Sequence, residues 1–272
     1  MRKRKNTKQR RRIILILKFL CMMVILMILK ITFFSSSAIS ENPSSKDTAS
    51  LNEKPETDSE NEKGSTTLPI KGLSQEGIPT GCESVSTVAA LQYFGVNITT
   101  DEFIESFLPC KRFYWKNDML YGPDPQEYFA GDPYQSQSLG CYPAVILKAL
   151  TKMKRAEYPG MEGLSFHNVS GTDLETLTAQ YIDKRIPVIL WVTIDMKESY
   201  PGMQYHLEDD SLYTWTAQEH CTVLCGYDET SYYLMDPLKG GEIVSRPKEL
   251  VQKRYQEIGK YALVIIPSDS LS

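Results

Sequence analysis

The chain has 272 residues, 42% of them apolar, with six cysteines, three histidines and a formal net charge of -4. Those values suit one domain or a small pair, and exclude a collagenous, wholly disordered or disulfide-dense mini-protein. The near-balance of charge conceals a segregation: residues 1–34 carry ten Lys/Arg and no acid, residues 35–66 three lysines and seven acids, and residues 67–272 seventeen basic and 27 acidic groups.

Residues 1–12 hold eight of the basic side chains, and residues 13–34 are almost all Ile, Leu, Met, Phe and Val, broken only by Lys18, Cys21, Lys30 and Thr32. A run of this length can span roughly 30 Å of hydrocarbon as a helix, with both lysines snorkelling from near its ends. The basic block then stays cytoplasmic and the rest of the chain lies outside. A cleavable signal peptide ending near Ala38 is the rival reading, and the length of the run favours an uncleaved signal anchor over an h-region of roughly 7–15 residues. Nucleic-acid binding by the basic block is disfavoured by its position against a hydrophobic span. Residues 35–66 contain almost nothing apolar and read as a disordered stalk, which leaves residues 67–272 as one extracytoplasmic domain, expected to be monomeric.

Within that domain, Val85, Val88, Ala89 and Leu91 recur at helical spacing in a run from Cys82 to Phe94 that Gly95 ends. Thr99-x-x-Glu102 is a capping box that announces a second helix through Phe103, Ile104 and Phe107. Residues 110–140, rich in Tyr, Pro, Gly and Asp, read as a long ordered loop. A third helix follows Pro143, and a fourth begins at the capping box Thr172-x-x-Glu175. Strands are expected at Pro187–Ile194, Glu219–Tyr227, Tyr232–Met235 and Tyr261–Ile266, with a helix over Arg246–Gln256 before the last. Helices first and antiparallel strands second indicate an α+β fold. No G-x-G-x-x-G or Walker pattern occurs, so a nucleotide fold has no support.

Three residues could carry covalent chemistry. Cys82 opens its helix, where unpaired N–H groups and the macrodipole favour an anion, so a lowered thiol pKa is expected there. His220 lies in the strand QEHCTVLCGYD, and Asp236 closes the next strand sixteen residues on. A hairpin through Asp228–Ser231 would bring that carboxylate beside the imidazole. Thiolate, imidazole and carboxylate together suit acyl transfer through a covalent intermediate, with Gln75 and the backbone N–H of Cys82 as oxyanion donors. For each there is a blander reading: a small core cysteine, a half-buried strand histidine, an Asp-Pro turn.

The string Gln75…Pro79-Thr80-Gly81-Cys82-Glu83-Ser84, then Leu91-x-Tyr93-Phe94-Gly95, Glu219-His220…Gly226-Tyr227-Asp228 and Asp236-Pro237, resembles the stand-alone peptidase family thirty-nine-like proteins. These are relatives of the double-glycine leader peptidase domains of bacteriocin exporters, within the papain-like superfamily. Gly122-Pro123-Asp124-Pro125, Phe129-Ala130-Gly131-Asp132-Pro133 and Gly140-Cys141-Tyr142-Pro143 are similar to the same group. The resemblance implies a papain-like fold, with Cys82 as nucleophile, His220 as general base, Asp236 as its orienter and Gln75 as oxyanion donor. It implies a peptide or protein substrate, no cofactor and, in kind, a bacterial source. The sequence holds no ATP-binding cassette or six-helix transport domain, so the exporters' substrate is not implied. Two other functions stay open on the same residues: transfer of the acyl group to an amine, and a non-catalytic surface binding module using the aromatic segment Phe113–Tyr134.

An extracytoplasmic domain permits disulfides. Cys221 and Cys225, four apart on one strand, are roughly 13 Å from each other and too far to bridge. Cys110 and Cys141 flank the long loop and are the expected pair. No C-x-x-C spacing and no paired histidines favour zinc, so no metal is expected.

Overall fold

The computed structural model describes residues 65–268. The anchor read at 13–34 lies outside them, as does nearly all of the stalk. Among the described residues no helix is long and apolar enough to cross a membrane.

A mainly antiparallel sheet is the frame. Its members in chain order are β1 (Thr66–Thr67), β6 (Leu164–Asn168), β7 (Val188–Thr193), β10 (Glu219–Tyr227), β11 (Ser231–Asp236), β12 (Glu242–Pro247) and β13 (Ala262–Pro267), ordered β12-β11-β10-β7-β13-β6, with β1 also paired to β10. The central strands are buried on both faces, which is why β7 reads as an unbroken apolar run instead of an alternating one. Ile189, Trp191, Leu263 and Ile265 face one apolar cluster, while Val188, Leu190, Val192, Val264 and Ile266 face another.

The first cluster is closed by α1 (Cys82–Tyr93), α2 (Thr100–Ser106) and α3 (Pro143–Arg155), the second by α4 (Leu174–Gln180) and α5 (Lys248–Ile258). Helix α1 is buried from Cys82 through Leu91 and packs on β10. It stops where expected: Phe94 and Gly95 donate back to Leu91 and Gln92, and Gly95 takes a φ of 83° that other residues rarely adopt. Thr99 caps α2 by accepting from the Glu102 N–H, and Pro143 occupies the first turn of α3.

Four differences from the expected elements have local causes. The segment at 110–140 is not plain loop; it contains β2 (Cys110–Lys111), β3 (Tyr114–Lys116), β4 (Met119–Tyr121) and β5 (Phe129–Ala130). Strands β3 and β4 join β8 (Tyr200–His206) and β9 (Leu212–Ala217) in a second sheet ordered β3-β4-β8-β9. The cap of α4 is Asp173, one residue after the expected Thr172. Helix α5 begins after Pro247, because Glu242–Pro247 pairs with β11 as a sheet edge.

The Cys110–Cys141 bridge is not formed: both are free thiols, as are Cys82, Cys221 and Cys225. Strand β5 lies between them, pairing with Cys110–Lys111 on one side and exchanging hydrogen bonds with Leu139 and Gly140 on the other. Two strand spacings, roughly 9–10 Å, exceed the roughly 7 Å limit for a disulfide.

Trp191 ties the frame together, since its fully buried indole donates to the Cys141 carbonyl at 2.9 Å. Trp191→Ala is expected to lower stability by about 3–5 kcal/mol, read as a shift in the urea midpoint. A loss under about 1 kcal/mol would show that the indole is not a keystone of the core.

Candidate active site

Four elements meet at one cavity of about 540 Å³, lined among others by Gln75, Cys82, Trp215, Glu219 and His220. Each side chain arrives there for a local reason. Cys82 is the first residue of α1, after the N-cap Gly81. His220 is the second residue of β10, and β10 runs antiparallel to β11, with Val223 opposite Met235. The hairpin between them is closed by Asp228, whose carboxylate accepts the backbone N–H groups of Thr230 and Ser231, both at 2.7 Å. Asp236, at the end of β11, therefore lies beside His220.

The imidazole Nε2 and Asp236 Oδ1 are 2.7 Å apart, with both residues buried. That contact leaves Nδ1 as the ring nitrogen free for chemistry. Burial raises the Asp236 carboxyl, but the His220 hydrogen bond and charge, with the Leu238 N–H at 3.0 Å, more than offset it and hold the group below its ordinary value. The other two histidines stand elsewhere: His167 contacts Ser165, and His206 contacts the Asp210 carbonyl.

Gln75 is buried and anchored through its backbone N–H to the Pro237 carbonyl, 3.2 Å away. Its side-chain amide donates to the Pro79 carbonyl at 3.3 Å, and its Oε1 has no partner among the described residues. The sheet that sequence reasoning missed supplies the opposite wall, with Tyr200, Pro201, Gly202 and Met203 from β8 and Trp215 and Ala217 from β9. Of the aromatic segment read as a recognition surface, Phe129 is fully buried whereas Trp115 is 72% exposed on β3.

The thiol departs from expectation. Its hydrogen-bond partner among the described residues is Glu83 Oε2, at 3.4 Å, and not the imidazole. Burial, followed by the charges of Glu83 and Glu219, pushes the Cys82 pKa up, against the helix-terminus effect that the sequence suggests. Glu83 and Glu219 are the residues that sequence reasoning did not weigh. Glu83 is fully buried in the first turn of α1; one carboxylate oxygen takes the thiol and the other accepts the Cys141 N–H at 2.6 Å. Glu219 precedes His220 and is 8% exposed. Cys82 Sγ and one oxygen from each glutamate lie within 4.8 Å of one another. Burial lifts the Glu83 carboxyl from 4.5 to about 7, and burial plus the neighbouring Glu83 charge lifts Glu219 as well. Two carboxyls this close in a dry site cannot both ionise cheaply, so they hold a proton between them near neutrality. A signal for the first was present in the sequence: Glu83 is the one charged residue in CESVSTVAALQY.

Gly140 makes room for this cluster. A Cβ there would stand 2.4 Å from Glu83 Oε1 and 3.2 Å from Glu219 Oε2.

The model of the Peptidase_C39 like family matches residues 67–263. Among solved structures seven chains are similar. A candidate C39-like peptidase from Bacillus anthracis is 20% identical, with a TM-score of 0.61, over 74% of this chain and 97% of its own. A double glycine motif protease from an AMS/PCAT transporter, solved with the leader peptide, is 16% identical with a TM-score of 0.39, over 76% of this chain and 96% of its own. No curated protein matches the sequence.

The glutamate pair makes stability depend on pH with a definite sign. A carboxyl raised in the folded state keeps protons that the unfolded chain releases, so its stabilisation is fully present below about pH 4.5 and is lost as pH rises through about 7. Asp236 acts in the opposite sense, and only at the acid end of the range. Urea unfolding is expected to show lower stability at pH 8 than at pH 5, with Glu83→Gln flattening the difference. A wild-type profile that is flat or rises over this interval would contradict the shared-proton pair. Gly140→Ala is expected to destabilise by at least 1–3 kcal/mol in the same assay, since the methyl must displace a buried carboxyl; an unchanged midpoint would show that the cluster has slack.

Proposed function

The chain belongs to the peptidase C39-like family of cysteine peptidases, and from that membership we propose that it is a membrane-anchored, extracytoplasmic cysteine hydrolase that cleaves peptides through an acyl-enzyme on Cys82. The observation that carries the reading is the His220–Asp236 contact at 2.7 Å on the wall of a cavity that Cys82 also lines.

In this mechanism Asp236 accepts the Nε2–H of His220, which fixes the tautomer and leaves the Nδ1 lone pair to take the thiol proton. The thiol turns from Glu83 toward the imidazole before it reacts. The resulting thiolate attacks the scissile carbonyl carbon, and the carbonyl oxygen takes the negative charge. The second N–H of the Gln75 amide and the backbone N–H of Cys82 stabilise that oxygen. The imidazolium then protonates the leaving amine as the C–N bond breaks, which leaves a thioester on Cys82. Water, deprotonated by the same imidazole, releases the acid and restores the thiol. Tyr200, Met203, Leu139 and Trp215 give the cavity an apolar wall suited to an apolar side chain beside the scissile bond.

Raising the thiol pKa makes this nucleophile weak at rest. Its ionisation is coupled to proton transfer within the imidazole pair, in place of a preformed thiolate. The basic block before the apolar run at 13–34, with residues 35–66 as the stalk, supports placement outside the cell.

Cys82→Ala is expected to abolish peptide hydrolysis, and His220→Ala to come close to doing so. Gln75→Ala should lower kcat by about 10²–10³ with little change in KM. Turnover retained by Cys82→Ala would end the assignment. For topology, protease added to intact cells should remove the folded domain while cell-associated protein carries an intact N-terminus. Recovery of the domain in the medium with a new terminus near Ala38 would replace the anchor with a cleaved signal.

A further inference from the structure

We infer that Cys82, Glu83 and Glu219 form a binding site for a divalent transition-metal ion of the Zn²⁺ class, and that occupancy by such an ion switches the nucleophile off. The inhibitory consequence rests on the role proposed for Cys82; the site itself does not.

Three independent features converge on it. First, the ligand atoms are already gathered: Sγ and one oxygen from each carboxyl lie within 4.8 Å of one another, and Sγ is 3.4 Å from Glu83 Oε2. Tetrahedral zinc with its usual bond lengths separates a sulfur and an oxygen ligand by roughly 3.5 Å. Second, Glu219 is 8% exposed, and its Oε1 is buried with no partner among the described residues. A buried carboxylate short of donors is costly, and a cation bound by that carboxylate offsets the cost. Third, the outer shell is in place. The Cys141 N–H holds Glu83 Oε1 at 2.6 Å, which leaves Oε2, on the side of the thiol, for a ligand.

The donor set selects the ion. A thiolate beside two carboxylates suits Zn²⁺ or Cd²⁺ better than Mg²⁺ or Ca²⁺, which take oxygen ligands alone. Binding displaces the thiol proton and the proton held by the carboxyl pair into solvent, and the dication offsets the charge then left on three buried groups. Because Cys82 and Glu219 also line the cavity, the fourth position is open to water. Sulfur held in this way can neither turn to His220 nor attack a carbonyl. Sequence spacing gave no hint of this site, since its ligands are two adjacent residues and a third 136 positions further on.

The test uses the full-length chain in detergent, stripped with EDTA. Added Cd²⁺ should produce a thiolate-to-metal absorption band in the near ultraviolet that is absent from Cys82→Ala and from wild type alkylated at Cys82 beforehand. Zn²⁺ should block labelling of Cys82 by a thiol-directed probe, reversibly with EDTA. Glu219→Gln and Glu83→Gln should each raise the Zn²⁺ midpoint by about 10–100-fold or more, and His220→Ala should leave it in place. The absence of a Cys82-dependent band, or a midpoint moved by His220→Ala but by neither glutamine, overturns the site. Failure of Cys82 to label in EDTA would instead count against its role as nucleophile, and the Cd²⁺ difference band would still decide the metal site.

Discussion

The corner that holds Cys82 hangs on one buried carboxyl. Glu83 sits in the first turn of a helix that is buried along most of its length, holds the Cys82 thiol with one oxygen and draws the Cys141 N–H onto the other. That second bond joins the start of α1 to the segment entering α3. Through the Cys141 carbonyl, Trp191 then locks the same segment to the central sheet. Breaking a buried, charge-assisted contact of this kind costs more than losing a surface pair, because the partners left behind are dry. Cys82 is therefore positioned by an acid, and burial together with the charge of that acid raises its pKa.

This arrangement separates placement from activation. His220 and Asp236 form a closed pair where β10 begins and β11 ends, set by hairpin register and by the Asp228 turn, while Cys82 is oriented from another direction. On the mechanism proposed above, the thiol stays neutral beside Glu83 until the imidazole draws its proton. A protonated, buried thiol is also a poor target for oxidants.

Much of the fold was legible because its signals are local. The bounds of β10 follow from one dense apolar run, and α1 from helical spacing closed by Gly95, since neither depends on a distant partner. The second sheet was not legible. Strand β8 contains Pro201 and Gly202, β9 is short and half-exposed, and β8 is fixed as a strand by pairing with β9 on one side and with β4, more than 80 residues earlier, on the other. The expected Cys110–Cys141 bridge failed for the same reason, because β5 between them is invisible as a strand until it pairs. At the site, the residue types of a cysteine peptidase stand out in the sequence. The sign of the Cys82 shift does not, because it depends on burial and then on the charges of Glu83 and Glu219, and only the tertiary fold buries the thiol and brings Glu219 to α1.

The most direct test of the central claim, covalent catalysis by Cys82 with His220 as its base, is to trap the acyl-enzyme. The protein would be mixed with a slowly deacylating ester or peptide and quenched in acid, and its intact mass and peptide map read by mass spectrometry. The account predicts a stoichiometric acyl adduct on Cys82 that forms quickly in wild type and slowly in His220→Ala. An adduct on Cys110, Cys141, Cys221 or Cys225, or hydrolysis that proceeds with no adduct at all, would contradict it.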